Sequence, residues 1–559
     1  FDYGSLIRGG HNFSIVRAAP QKVAAHRDSV DFVLALDQTT LDLHRSRLNN
    51  PANVVFDSDA VRADAAPAGG IGLPLRKILQ EEAAKPVMRN SCLVGAFARC
   101  ISMDLQTLER LLREHVRKAT DQNVKLASRG YELSREATKL EALSQAPLPT
   151  LTGNEATGLG LVAAGLKTYI AYPMTPSSSL LHFLADVAQD FSLKVIHPEN
   201  EIAVMLMALG FSYAGDRVAV GTSGGGFCLM TEGLSLAGGA ELPVVVFVGQ
   251  RPSPSTGLPT YTAQAELNFV LSAGHGEFVR FVVAPGDPEE AFYWSKVAMD
   301  VAWKYQIPSI ILSDKTLSEG GLTFDVAETR PAGEPAEARP FLGPVLWDGT
   351  GAYARYAGAG RSESAEAEEN AHAGPSAGGG GGGTAPAAGR EGARGTGISP
   401  LAFPPAKGAV IKVNSYEHDE RGITTEEAAE TSKMYEKRLR KGTYLAQEME
   451  GYEAVRVHAR RDSDTALLCW GSNKGVCVEV GDELGLRVVQ PVVLSPFPVR
   501  QFESAVRGVR KLVSVENNAT GQMASLVKSH GFGVHGCVCK FDGRPFSCEE
   551  LETELKKLL

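Results

Sequence analysis

Residues 168–191 read TYIAYPMTPSSSLLHFLADVAQDF. The first four form a short apolar run of strand formers. After Pro176 and three serines, Leu180, Leu184, Val187 and Phe191 return at a helical period. A strand that passes into a helix through Tyr172-Pro173-Met174-Thr175-Pro176 is the unit of a parallel sheet. The alternation continues to about residue 320, with apolar strands expected at 194–197, 217–221, 242–248, 278–283 and 309–312 and a helix at 202–212. This predicts an α/β fold whose sheet is covered on both faces, with ligands bound at the loops that follow the carboxyl ends of the strands.

The chain has 559 residues, enough for about three to five domains. Four regions are expected. Residues 1–149 begin with a strand at 30–36 and continue with helices at 41–48, 92–101 and 105–116. A charged, solvated connecting helix follows at 118–143 and a linker at 145–152. Residues 150–330 are the strand–helix region. Residues 331–400 turn to Ala, Gly, Glu and Pro and contain six consecutive glycines, 378–383, a composition that reads as a flexible insertion. Residues 401–559 regain α/β character, with strands near 465–470, 488–493 and 511–515. No apolar run approaches the length needed to cross a bilayer. A net charge of −9 without a basic stripe argues against nucleic acid as the main partner. Eight cysteines are too few for a disulfide scaffold and suit a reducing compartment, so a cytoplasmic location is expected. The chain starts at Phe1, which reads as a fragment or processed end, so an organellar address stays open.

Four loops at successive strand ends carry residues suited to chemistry. In the first, two prolines hold Thr175, whose hydroxyl and the amides beyond it suit a carboxylate; the plainer reading is a helix cap. The second, His197-Pro198-Glu199-Asn200-Glu201, places two carboxylates where a first helical turn ordinarily has them. The third is Thr222-Ser223-Gly224-Gly225-Gly226-Phe227, small residues that let backbone approach a ligand or simply make a tight turn. In the fourth, Arg251 leaves an apolar strand into a Pro-Ser-rich loop, where a guanidinium suits bidentate carboxylate capture or an ion pair with a loop acid. The fold brings all four to one edge, which favours the functional reading over each local one.

The order Y-P-x-T-P, E-x-E-I-A, T-S-G-x-G-F and Q-R-x-x-P-S-T-G-x-P-T resembles the α subunit of the 2-oxoacid:ferredoxin oxidoreductases. The resemblance continues through Gln264, Gly274-His275-Gly276-Glu277-Phe278, Leu312-Ser313-Asp314 and Glu417-His418-Asp419-Glu420-Arg421-Gly422. It then takes in Cys469-Trp470-Gly471-Ser472, Pro496-Phe497-Pro498 and Glu516-Asn517-Asn518-Ala519-Thr520-Gly521-Gln522. Arg8-Gly9-Gly10-His11-Asn12 and Asn90-Ser91-Cys92-Leu93-Val94-Gly95 look like the family's γ domain. The resemblance implies a multidomain α/β protein: a partial γ domain, a thiamine diphosphate-binding fold of the pyrimidine-binding kind and a transketolase C-terminal-like domain. It implies oxidative decarboxylation of a 2-oxoacid to an acyl-CoA and CO2, with electrons passed to ferredoxin. Glu201 matches the glutamate at N1′ of the coenzyme's aminopyrimidine, and Thr175 and Arg251 match the residues that hold the substrate. Tyr172, Pro173, Thr222, Ser223 and Gly224 fall where that family binds the cofactor, and Arg8, Gly9 and Gly10 where coenzyme A contacts are expected. Two departures stand out: Gly225 occupies a usual proline position, and Ser253 a common glycine position.

The sequence has no G-D-G followed by Asn-Asn for Mg2+ and the diphosphate, and no C-x2-C set for an iron–sulfur cluster. Mg2+ and a [4Fe–4S] cluster are therefore expected on a β subunit that shares the coenzyme site, and this chain alone is expected to be inactive. Cys537 and Cys539 lie one residue apart on an apparent strand, thiols to one face, and read as structural because no second pair completes a cluster. Two rivals stay open, a transketolase-type thiamine-dependent transferase and a non-catalytic scaffold subunit. Pyruvate, 2-oxoglutarate, branched-chain and aryl 2-oxoacids are all open as substrates.

Overall fold

The computed structural model describes residues 3–4, 11–140, 147–329, 344–358 and 395–559. Arg8, Gly9, Gly10 and the six glycines 378–383 lie outside the described residues. Two compact units are present: Leu6–Phe13 with His26–Pro147, and Phe1–Ser5 with Ser14–Ala25 and Leu148–Leu559.

The smaller unit is built on a three-stranded parallel sheet, Val33–Ala35, Val54–Asp57 and Ile71–Leu73, in sequence order. The expected solvated helix at 118–143 is shorter, Thr120–Glu132, and is not a connector. Val124, Leu126, Ala127 and Gly130 are buried against the helix Arg89–Cys100. The contact depends on two glycines. A Cβ at Gly95 would lie 1.9 Å from the Ala127 carbonyl oxygen, and one at Gly130 1.9 Å from that of Cys92. Its charged residues concealed this face, because backbone contact through glycine leaves no apolar stripe to read.

In the larger unit the 168–320 region forms strands β1 (Thr168–Ala171), β2 (Lys194–Ile196), β3 (Val218–Ser223), β4 (Val244–Gln250), β5 (Phe281–Val283) and β6 (Pro308–Asp314). Helices α1 (Ser178–Asp186), α2 (Glu201–Tyr213), α3 (Gly224–Gly239) and α4 (Pro288–Tyr305) intervene. Every residue of β3, β4 and β6 is buried, as central parallel strands covered on both faces require.

The C-terminal part adds helix α5 (Ala428–Met449) and strands β7 (Val455–Ala459), β8 (Thr465–Leu468), β9 (Arg487–Pro491), β10 (Val493–Ser495), β11 (Lys511–Glu516) and β12 (Gly536–Cys539), with helix α6 (Gln522–Ser529). Five of these strands form a sheet in the order β7-β9-β8-β11-β12, parallel except for β7. The run expected as one strand at 488–493 divides. β9 stays in this sheet, while β10 pairs antiparallel with β5 and completes a seven-stranded sheet, β10-β5-β6-β4-β3-β1-β2. The C-terminal part thus supplies an edge strand to the central sheet.

The segments flanking the expected insertion are packed. Tyr356 is fully buried, and Arg355 donates to the Glu241 carbonyl at 2.7 Å. Thr150–Thr152, expected in a linker, pairs antiparallel with Gly321–Thr323. α5 docks through a buried ionic cluster in which Lys437 donates to both Glu241 oxygens, at 2.7 and 2.6 Å, and Lys441 donates to Oε2. The two ammonium groups keep Glu241 ionised against burial. Burial, with Lys441 adding repulsion, brings Lys437 down to about 7 despite the carboxylate.

Candidate functional site

The loops after β1, β2, β3 and β4 lie at the carboxyl ends of adjacent parallel strands, so one edge of the sheet gathers them. Contacts between loops are direct. Arg251 Nη1 donates to the Thr175 carbonyl at 2.8 Å, joining the loops after β4 and β1. A Cβ at Gly249 would meet Pro176 Cγ at 2.9 Å, so glycine at the end of β4 admits the Pro176 ring. Asn154 holds the same turn from below, donating to the Pro176 carbonyl at 2.8 Å and to Ser179 Oγ at 2.6 Å.

The capping reading of the second loop is met by a different residue. Asn200 is the N-cap of α2, its side chain accepting from Ala203 N at 3.0 Å. Glu199 is exposed, while Glu201 is 4% exposed. Glu201 Oε1 is buried with no hydrogen-bond partner among the described residues. A Cβ at Gly226 would come within 2.6 Å of this oxygen and 2.2 Å of Thr222 Oγ1. Gly226 therefore exists so that α3 can begin against the Glu201 carboxylate. Thr222 and Ser223 are fully buried, and Ser223 Oγ is a second buried atom without a partner among the described residues. At Gly225 a Cβ would meet nothing closer than 3.9 Å, so the residue that departs from the family pattern has open space before it. Tyr172 and Pro173 are exposed at the rim, and the Tyr172 ring stands 5.9 Å from that of His197. Gly224 lies in the buried first turn of α3.

Arg251 is 8% exposed and forms no ion pair among the described residues, so the structural-ion-pair reading is not met by direct contact. Burial lowers its guanidinium pKa, and the charge of Glu266 opposes that. Glu266 is the site residue that the sequence reading missed. Its Oε1 accepts from Ser253 Oγ at 3.0 Å, its backbone N–H donates to Gln250 Oε1 at 3.1 Å, and its Oε2 is buried without a partner among the described residues. A Cβ at Gly224 would touch Glu266 Oε1 at 2.7 Å. Burial pushes the carboxyl up to about 7, against the opposing pull of Ser253, the Ala265 backbone and Arg251. The available signal was an acid between Ala265 and Leu267, just before an apolar segment, which reads as an ordinary helix start. Ser253, expected to shape a pocket, also anchors this acid.

The edge therefore presents a buried carboxylate oxygen lacking a donor, a guanidinium with N–H groups beyond the one given to Thr175, and an acid that titrates near neutrality. A ligand ring with an N–H fits the first, and an anionic ligand fits the second.

Two family models match the chain: pyruvate flavodoxin/ferredoxin oxidoreductase, thiamine diP-bdg, over residues 159–326, and pyruvate ferredoxin/flavodoxin oxidoreductase over residues 1–133. The α subunit of 2-oxoacid:ferredoxin oxidoreductase 1 from Sulfurisphaera tokodaii is 32% identical over 73% of this chain and 61% of its own length. That of 2-oxoacid:ferredoxin oxidoreductase 2 from Aeropyrum pernix is 28% identical over 100% of this chain and 92% of its own. The chain thus spans about 61% of the length of the first of these curated relatives. The solved 2-oxoglutarate:ferredoxin oxidoreductase from Magnetococcus marinus superposes with a TM-score of 0.80 at 24% identity, covering 96% of this chain and 89% of that one. These findings bear out the resemblance and the α/β multidomain fold read from the sequence. No described helix is long and apolar enough to cross a membrane.

Proposed function

This chain belongs to the family of the 2-oxoacid:ferredoxin oxidoreductase α subunits, and on that premise we propose that it supplies the pyrimidine side of a thiamine diphosphate site shared with a β subunit. The complex would oxidatively decarboxylate a 2-oxoacid, transfer the acyl group to coenzyme A and pass two electrons singly to ferredoxin. The observation that carries the reading is the buried, partnerless Oε1 of Glu201 at the strand edge that also holds Thr175 and Arg251.

Thiamine diphosphate, when bound, supplies the electron sink that lets a 2-oxoacid lose CO2. Glu201 is suited to hold a proton at N1′ of the aminopyrimidine, since a donor there would satisfy the buried oxygen, and Thr222, Ser223 and Gly224 would line the approach. Arg251 would take the 2-oxoacid carboxylate through its remaining N–H groups, with the Thr175 carbonyl fixing its orientation. Tyr172 and Pro173 would close the rim. Ile202, Leu206 and Leu229 are exposed apolar side chains on α2 and α3, the two helices that start at Glu201 and Gly224, and they suit cover by a partner chain. We assign the diphosphate, Mg2+ and [4Fe–4S] sites to that partner, and coenzyme A contacts to the segment containing Arg8, Gly9 and Gly10.

The test is co-expression with the neighbouring β subunit and an assay of coenzyme A-dependent viologen reduction across a panel of 2-oxoacids. Glu201→Gln should lower turnover by about 10²-fold or more. An unchanged rate would favour the scaffold reading. Turnover without coenzyme A or an electron acceptor would favour a transferase.

A further inference from the structure

Cys537 and Cys539 sit at alternate positions of β12, so both side chains leave the same face of the strand. Their sulfurs are 2.7 Å apart. Among the described residues β12 is an edge strand paired with β11 alone, and Cys537 is exposed while Cys539 is half-buried. Two further groups bear on the sulfurs. The Gly521 backbone N–H bonds to Cys539, and Lys528 stands near Cys537, with Glu516 opposing both. The thiol of Cys537, hydrogen-bonded to its neighbour, holds Cys539 below the usual thiol range, and Gly521 adds to this. Cys537 is correspondingly raised. The Gly521 N–H gives Cys539 a donor that favours its charged form, and a second sulfur lies within reach of it. Five other cysteines, Cys92, Cys100, Cys469, Cys477 and Cys548, are buried.

We propose that Cys537 and Cys539 form a thiol–disulfide exchange site that accepts small disulfides of the glutathione class and closes to an intramolecular disulfide. The Cys539 thiolate attacks one sulfur of the incoming disulfide, whose S–S bond breaks and releases its other half as a thiolate. Cys537 gives its proton to solvent, and its sulfur displaces the second half from Cys539. Two electrons pass from the protein to the disulfide, which leaves as two thiols. The site lies beside the loop from Glu516 to Gly521. Within that loop the Asn517 carbonyl accepts from Gln264 N at 2.8 Å, and Asn518 donates to the Gln264 carbonyl at 3.1 Å. The thiols are therefore one loop away from the segment that carries Glu266.

The test treats the full chain with glutathione disulfide, alkylates the remaining thiols and maps the peptides by mass. The peptide holding residues 537–539 should lose two hydrogens and resist alkylation, and dithiothreitol should reverse both changes. Cys537→Ser should instead trap glutathione on Cys539. Phenylarsine oxide, which bridges neighbouring thiols, should bind this peptide of the wild-type chain at one equivalent and neither single Ser variant. Free alkylation of both cysteines after glutathione disulfide, or stable glutathione adducts on both, would overturn the proposal.

Discussion

Replacing Glu266 by Gln removes a carboxyl whose titration the fold moves from the acid range to near neutrality. Its pKa rises from 4.5 to about 7 on folding. A folded-state pKa above the unfolded one means that stability is fully present below about pH 4.5 and is lost as pH climbs through about 7, because the unfolded chain gives up its proton first. The shift is equivalent to about 3 kcal/mol. Glu266→Gln keeps an acceptor for Ser253 Oγ but places an amide N–H2 where Oε2 has no partner, at a cost of about 1–3 kcal/mol that does not vary with pH. Urea unfolding of the full chain from pH 4 to pH 8 should therefore show the variant gaining on the wild type by about 3 kcal/mol, with the change centred between 4.5 and about 7. Parallel stability curves for the two proteins would refute the buried-acid account. Arg251→Gln supplies a second check, because loss of the nearby positive charge should move the wild-type transition to higher pH.

Gly226→Ala drives a methyl to 2.2 Å from Thr222 Oγ1 and should cost about 1–3 kcal/mol, whereas Gly225→Ala, with nothing inside 3.9 Å, should stay within about 0.5 kcal/mol; urea midpoints separate them. Glu241→Gln strips two buried ammonium groups of their carboxylate and should cost about 3–5 kcal/mol, while Lys437→Met should cost less because Lys441 still pairs with Glu241; equilibrium unfolding measures both. Gly95→Ala or Gly130→Ala should loosen the smaller unit selectively, since either Cβ would sit 1.9 Å from a backbone oxygen. Hydrogen exchange should speed up between Arg89 and Glu132 and stay unchanged in β3 and β4.

The strand–helix alternation from residue 168 onward was legible because buried parallel strands are continuous apolar runs and their covering helices are periodic. That alternation also dictates that Thr175, Glu201, Ser223 and Arg251 reach one edge, so their common location follows from the chain alone. Three things did not. β10 leaves its own region to complete the central sheet, a pairing across some two hundred residues that no local pattern encodes. The face of Thr120–Glu132 is buried through glycine backbone rather than an apolar stripe, so its charges spoke louder than its contacts. Glu266 has the composition of a helix start, and only its burial beside Gly224, against the opposing pull of Ser253 and Arg251, turns it into an acid near neutrality. Periodicity and turn chemistry act between neighbours in sequence. Desolvation and charge coupling depend on which distant side chains share a volume, and that is decided only when the chain folds.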